Sequence, residues 1–272
     1  MNVLLRDYST LPYQRLSARI FLRLGIFSLI AQFSAPAHAA EESATPYRPT
    51  VSNPADLSAP GWLELEFGWQ RIKGNDNTWH DGVPYLAKLA FTPDWGITLG
   101  GEVAVRQTDT DGTVFKGGGD TTLLLKHRME IDDASAFGVE AGFKAPTAKE
   151  PIGSGKSDYL INAIYSRDMK DFYLDLNLSE TRVGSAAPEE GRTQTGWAAA
   201  VSYALNEKWG IAGELSGAYR KGTAVTSQFL GAVSCNLSKR VVLDVGATRG
   251  LAGASQDWSV FAGATILLVN LW

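Results

Sequence analysis

From about residue 61 onward the sequence predicts an all-β chain closed into a membrane-spanning barrel, and three observations carry the prediction. The chain divides into twelve segments of about 10–14 residues whose side chains alternate between apolar and polar, the period of two that a strand imposes. The connections between them alternate in length, short then long. The polar set of the alternation carries many charges of both signs, which a soluble β core could not bury but a hydrated lumen can pair and solvate. Together these give a transmembrane antiparallel up-and-down β-barrel of twelve strands, the even number expected of the bacterial outer-membrane type.

The segments before the barrel are of other kinds. Arg6, Arg15, Arg19 and Arg23 form a basic start, Leu24 to Phe33 a short apolar core, and Ala37-His38-Ala39 a small-x-small cleavage rule, so 1–39 reads as a secretory signal peptide cut after Ala39. Its loss takes the formal charge from −4 to −7, since it holds four Arg and one Asp. An acidic mature chain of this kind excludes nucleic acid as a partner on bulk electrostatics. Residues 40–60, with four Pro and little periodicity, read as a flexible lead-in lying in the periplasm, and 61–272 as the barrel. Beyond the signal, no continuous apolar run reaches the roughly 20 residues of a spanning helix. A mean hydropathy of −0.09 agrees with a barrel, in which alternate residues alone meet lipid.

Taken in order, the first strand, Trp62–Lys73, points Leu63, Leu65, Phe67 and Trp69 outward and Glu64, Glu66 and Gln70 inward. The second, Val83–Thr92, turns Lys88 inward, and the third, Trp95–Thr108, turns Glu102 and Arg106 inward with Val103 and Val105 outward. The fourth, Thr121–Asp132, has Lys126, Arg128 and Glu130 inward; the fifth, Phe137–Ala148, has Glu140 and Lys144. The sixth, Asp158–Ser166, carries Asn162 inward, and the seventh, Phe172–Thr181, Asp175 and Asn177. The eighth, Thr195–Leu205, has small inward residues, Gly196, Ala198, Ala200 and Ser202. The ninth, Trp209–Arg220, has Glu214 and Arg220 inward; the tenth, Val225–Leu237, has Gln228 and Asn236; the eleventh, Val241–Arg249, has Asp244. The last, Trp258–Trp272, alternates apolar residues from Trp258 to Trp272 with Asn270 as the exception.

Short connections such as Pro93-Asp94 and Ser238-Lys239-Arg240 belong on the periplasmic side, and Gly-rich ones such as Asp109–Asp120 and Pro146–Ser157 outside. Trp62, Trp95, Phe137, Phe172, Trp209 and Trp272 stand at the short-turn ends and predict an aromatic girdle. The aromatic C-terminus resembles the signal by which outer-membrane barrels are recognised by the barrel-assembly machinery, so that machinery and outer-membrane lipid are expected partners.

Motifs for chemistry are few. His80, beside Asp81, reads as a surface loop residue. His127 falls on the outward face; a lipid-acting enzyme would use such a residue with a neighbouring Ser, and no adjacent strand offers one at that depth. Asp109-Thr-Asp111-Gly112 has the start of a calcium loop without its distal Glu, and Gly117-Gly118-Gly119 precedes a strand rather than a helix, so neither a metal nor a phosphate cradle is expected. Cys235 has no partner cysteine and reads as a small lipid-facing residue. No cofactor and no catalytic residue are predicted.

Phe91-Thr-Pro-Asp-Trp-Gly-Ile-Thr-Leu-Gly-Gly-Glu102 and Tyr203-Ala-Leu-Asn-Glu-Lys-Trp-Gly-Ile-Ala-Gly-Glu-Leu-Ser-Gly217 share a theme: strand, short polar turn, aromatic-started strand, inward Glu. This texture, over roughly residues 60–272, resembles the MetA-pathway phenol-degradation (transporter-like) family of outer-membrane barrels. The resemblance implies an outer-membrane channel for passive passage of a small, aromatic or apolar solute. An outer-membrane enzyme acting on lipid and a structural barrel with a filled lumen are the other readings. Because twelve strands lie between the filled eight and the open sixteen, the expected channel is narrow, off-centre toward the small residues of the eighth strand, and partly capped by the long loops.

Overall fold

The structure, a computed structural model, describes residues 43–272, so the signal peptide expected at 1–39 lies outside the described residues. The strands are β1 (Trp62–Lys73), β2 (Trp79–Ala90), β3 (Trp95–Thr108), β4 (Val114–Gly117), β5 (Thr121–Asp132), β6 (Ser135–Ala145), β7 (Asp158–Met169), β8 (Phe172–Arg182), β9 (Thr193–Ala204), β10 (Trp209–Arg220), β11 (Thr226–Ser238), β12 (Val241–Gly250) and β13 (Trp258–Asn270). Each pairs antiparallel with its neighbour, and β13 returns to β1 through a register running from Leu65↔Ile266 to Lys73↔Trp258, which closes the sheet. Closure leaves the twelve strands of the wall without a free edge and pairs most of their backbone within it, the condition for β-structure in lipid. β4 is a flap: it pairs with the outer end of β3 (Val105↔Gly117 to Thr108↔Val114), while β5 takes the lower part (Trp95↔His127 to Gly100↔Thr122). Twelve staves therefore form the wall, as the alternation predicts.

The outer face is apolar and exposed, with Phe67, Leu99, Leu125, Ile161, Leu178, Leu215 and Val245 among its large side chains. A soluble monomer does not display a continuous apolar belt of this kind, and it is the outer face of a membrane-spanning barrel. Trp95, Phe137, Phe172, Trp209 and Trp272 are exposed at the short-turn end. Three of them lean on a cross-strand ring: Trp95 on His127 at 4.1 Å, Phe137 on Tyr165 at 5.4 Å and Phe172 on Tyr203 at 4.8 Å between centroids. Cys235 stands opposite Trp209 and Leu243 in the register, on the outward side.

Several expectations need correction. Trp62 is not part of the girdle: it is 8% exposed, and the Arg240 guanidinium lies 4.4 Å over its ring. The alternation that turns Glu64 and Glu66 inward turns Trp62 inward too. Arg106 does not line the lumen. Val83 pairs with Ala104 and Pro84 with Glu102, so Val103 is an extra residue, and such a bulge reverses the faces beyond it. Val105 is consequently buried and Arg106 points outward, its side chain 52% exposed. A second bulge, where Leu63 pairs with Val269 and Glu64 with Leu267, leaves Leu268 unpaired. It puts Asn270 on the inward side shared by Trp62, which accounts for the polar exception in the last strand.

The first long connection is shorter than the sequence suggests, because Trp79-His80-Asp81 extends β2 against Lys73-Ile72-Arg71. The turn is closed by Gly74 N–H donating to Thr78 O, and Thr78 donating to Asp76. His80 is thus a strand residue facing inward, 2.9 Å from Glu102.

The largest correction concerns the lead-in. Residues 43–60 do not trail in the periplasm; they enter the barrel from the short-turn end and return to it. Ala44 N–H donates to Lys239 O in the β11–β12 turn at the entry, and Pro60 bridges Ala90 at the exit. Between them Tyr47, Ser52, Ala55 and Ser58 are buried. Two features of the wall admit the loop. The facing pair Gly68↔Gly263 leaves a slot for Arg48, where a Cβ on Gly263 would sit 2.5 Å from its Nε. Gly138 lets Ala55 approach so closely that a Cβ would lie 3.2 Å from the Ala55 Cα. Ala55 then joins Ala136 and Ile164 in a small apolar core.

Candidate functional site

The lumen and the loop inside it form one polar structure. Glu64, Glu66, Lys88, Lys126, Glu140, Asp175, Glu214 and Asp244 all face inward and are buried. Most of their hydrogen bonds go to the inserted loop. Glu64 accepts from Thr45 N–H at 3.0 Å, and Glu66 from the N–H groups of Tyr47 at 2.7 Å and Arg48 at 3.1 Å. Arg48 forms a forked pair with Asp244, at 3.0 and 2.9 Å, and holds the loop to β12. Glu214 Oε2 accepts from the N–H groups of both Val51 and Ser52, each at 2.8 Å. At the apex Asn53 donates to Glu140 at 2.9 Å and from its backbone to Asn177 at 3.0 Å. Ala55 N–H donates to Ser166, which in turn donates to Asp175, and Asp56 takes Arg128 at 2.9 Å and the Tyr173 hydroxyl at 2.7 Å.

Tyr47 is the centre of this network. Lys88 Nζ and Lys126 Nζ lie on its ring at 4.0 and 4.1 Å, and Lys126 also donates to its hydroxyl at 2.8 Å. Lys88 pairs with Glu64 and Glu66, and Lys126 with Glu140 at 3.3 Å, so each buried ammonium has a carboxylate and a π-face. Burial first, then the field of Glu140 and Glu66, pushes the Tyr47 phenol well above its ordinary pKa, so it stays neutral and available as a donor or acceptor.

The remaining inward residues sit toward the mouths. Lys144 bridges Asp120 at 3.0 Å and Asp158 at 2.9 Å at the long-loop end, and Arg220 pairs with Glu190 of the β8–β9 loop at 3.0 Å. Glu102 takes Gln70 and His80 there. Glu130 is exposed at the short-turn mouth, bonded to Arg128 on its own strand. The site residues that sequence reasoning missed are those of the loop itself, Tyr47, Arg48, Asn53 and Asp56. The surplus of inward charge was the signal that something polar fills the lumen.

Two large cavities flank the loop. The upper one, at the long-loop end, has a volume of about 540 Å³; Val51 and Asn53 form its floor, and Asn162, Asn177, Ser179, Ala198, Ser216 and Gln228 are among its walls. The lower one, about 910 Å³, opens at the short turns and is roofed by Pro46, Arg48 and Pro49, with Ser202, Ala212 and Ser234 along its wall. The register shows how thin the partition is on one side. Ala198↔Ser216 belongs to the upper cavity and Ser202↔Ala212 to the lower; Ala200↔Glu214 is the single inward layer between them. Glu214 is the residue of that layer that grips the loop, and its Oε1 has no hydrogen-bond partner among the described residues.

Among the described residues no cluster of three metal-ligating side chains occurs. Asp109 to Thr113 is an ordinary turn, with Gly112 N–H on Asp109 O and Thr113 N–H on Asp111. His127 has Trp95 and Val139 as its cross-strand neighbours, neither of them a nucleophile.

No family model matches the chain, and no curated protein does. Solved structures do match in fold. An outer-membrane channel from Pseudomonas putida F1 is similar at 14% identity and a TM-score of 0.63, over 79% of this chain and 98% of that one. The NanC porin is similar at 10% identity and a TM-score of 0.55, over 76% and 100%. The KdgM porin, solved in complex with disordered oligogalacturonate, is similar at 12% identity and a TM-score of 0.53, over 76% and 99%. The barrel architecture implied by the hairpin texture is therefore present, and it is the architecture of outer-membrane channels and porins.

Proposed function

We propose that this protein is a narrow, internally plugged outer-membrane channel that passes a small solute passively when its N-terminal loop yields along the β9–β11 wall. The observation that carries the reading is the pair of cavities at opposite ends of one lumen, separated at β9 and β10 by the single layer of Ala200 and Glu214. The solute class follows from the upper cavity. Among the described residues its one charged lining group is Glu140, whose carboxylate is already taken by Lys126, Asn53 and Asn162; Val51, Leu124 and Leu160 supply apolar surface, and Asn162, Asn177, Ser179 and Gln228 supply amides and hydroxyls. Such a wall suits a small uncharged molecule with an apolar body and a few hydrogen-bonding groups, a description that includes a hydroxylated aromatic ring.

The test is conductance of the purified, folded protein in planar bilayers, with liposome swelling for uncharged solutes. The native protein should conduct weakly. Glu214→Ala removes the grip on Val51 and Ser52 and should raise the open-channel frequency. Deletion of residues 44–59 should raise conductance roughly tenfold, toward that of an unfilled twelve-strand lumen. If both variants fold and neither conducts more than the native protein, the lumen is structural and the channel reading fails.

A further inference from the structure

The outer wall of the barrel carries a band of positive charge on one side, and nothing in the lumen explains it. The register lines up Arg71, Asp81, Arg106 and Lys116 across β1, β2, β3 and β4. One step nearer the long loops it lines up Arg249, Trp258, Lys73 and Trp79 across β12, β13, β1 and β2. All point outward, on the face shared by Trp69 and Val245 immediately below, which are exposed and apolar. The band thus begins where the lipid-facing surface ends.

Its charge is not balanced within the wall. Lys73 is matched by Asp257 at 3.0 Å, but Asp81 serves both Arg71 and Arg106, the latter at 3.8 Å. Arg71, Arg106, Lys116 and Arg249 are left against one carboxylate, in a chain whose formal charge is −4. On the opposite side, at the same height, the outward row holds Tyr159↔Arg182 and Ile161↔Glu180↔Thr195, one cation beside one anion. The Arg71 guanidinium is held between the rings of Trp69 and Trp79, at 5.9 and 5.8 Å, and Trp79 meets Trp258 edge-on at 5.6 Å. Asp81 takes the Nε–Nη2 edge of that guanidinium, at 2.5 and 3.1 Å, and the two indoles hold the remaining Nη1 edge in one orientation, which favours a directed contact to an oxyanion over a diffuse counter-ion.

We propose that this face is a binding site for the phosphate groups of an outer-leaflet glycolipid. Arg71, Arg106 and Lys116 take the phosphates, Trp79 and Trp258 offer partly exposed rings to the sugars, and the acyl chains lie on the apolar surface around Trp69 and Val245. The occupant is a lipid because the cations sit on the membrane face, directly above exposed apolar wall. It is a phosphorylated one because the hydrocarbon supplies no anion at that level, while a headgroup phosphate does. The proposal is independent of whether the lumen conducts.

The experiment compares native protein, the triple variant R71A/R106A/K116A and the opposite-side variant R182A, each shown to be a folded barrel by heat-modifiable migration. Each is exchanged into nanodiscs of neutral lipid doped with lipid A, with dephosphorylated lipid A, or with phosphatidylglycerol, and bound lipid is quantified by native mass spectrometry. Native protein and R182A should retain lipid A, and the triple variant should bind it about a hundredfold more weakly, the loss expected for three interfacial cations. Dephosphorylated lipid A should not be retained. Equal retention of the dephosphorylated form, of phosphatidylglycerol, or of lipid A by the triple variant would overturn the proposal.

Discussion

The two sides of the lumen are built on opposite plans. The wall from β1 through β8 carries Glu64, Glu66, Lys88, Lys126, Glu140 and Asp175, and nearly all of these charges are spent on the inserted loop or on one another. The wall from β9 to β11 carries Gly196, Ala198, Ala200, Ala212, Ser216 and Ala232, and it touches the loop mainly through Glu214. The first wall leaves only a small space of about 160 Å³ between Tyr47, Glu66 and Leu86, whereas the second leaves more room, and the two large cavities both reach along it. Charge inside a barrel is therefore not by itself a sign of a solute path. Here it marks where the chain has bound a part of itself, and the small residues mark where it has not.

Substitutions on the two walls should separate these roles. The largest effect on stability belongs to the charged wall: Lys126→Met leaves Glu140 buried without its ion partner and should destabilise the barrel by about 3–5 kcal/mol, read from urea unfolding in detergent micelles. The double variant K126M/E140Q should recover a good part of that loss; no recovery would mean that Lys126 acts through Tyr47 and Pro54 rather than through the pair. A middling effect is expected at the apex, where Asn53→Ala removes the donor to Glu140 and should cost roughly 1–3 kcal/mol. Its protease sensitivity between residues 44 and 59 should rise with it. The smallest stability change is expected on the open wall. Ala198→Leu places extra carbons in the upper cavity, so unfolding should shift by less than about 1 kcal/mol while swelling rates for small solutes fall. A large destabilisation there, with no change in swelling, would show the two walls to be alike.

Much of this is legible in the sequence. Strand number, the outward apolar faces, the inward placement of Glu64, Lys88, Lys126, Glu140, Glu214 and Asp244, and the exposure of five of the six strand-end aromatics follow from counting in twos. Counting fails where the count itself changes. The extra residue at Val103 reversed the far end of β3 and carried Arg106 to the outside, and the one at Leu268 moved Asn270 inward. Nothing in either local sequence announces a bulge, because a bulge is a property of two strands and their register. Trp62 departs for another reason: its place at a strand end suits a girdle, but its parity is that of Glu64, which turns it inward.

By itself, then, the sequence determined the wall. Side-chain alternation is imposed residue by residue by the extended backbone, and lipid on one side and a polar interior on the other make that alternation nearly free of ambiguity. Tertiary structure decided what fills the wall. Residues 43–60 have no periodicity, and the contacts that hold them to the wall join them to positions far along the chain, Arg48 to Asp244 and Ser52 to Glu214 among them. A polar, proline-punctuated segment reads as disordered when its partners are unknown. It becomes a buried plug because a closed barrel holds matching carboxylates, ammonium groups and glycine slots at one height, and no local pattern records that match.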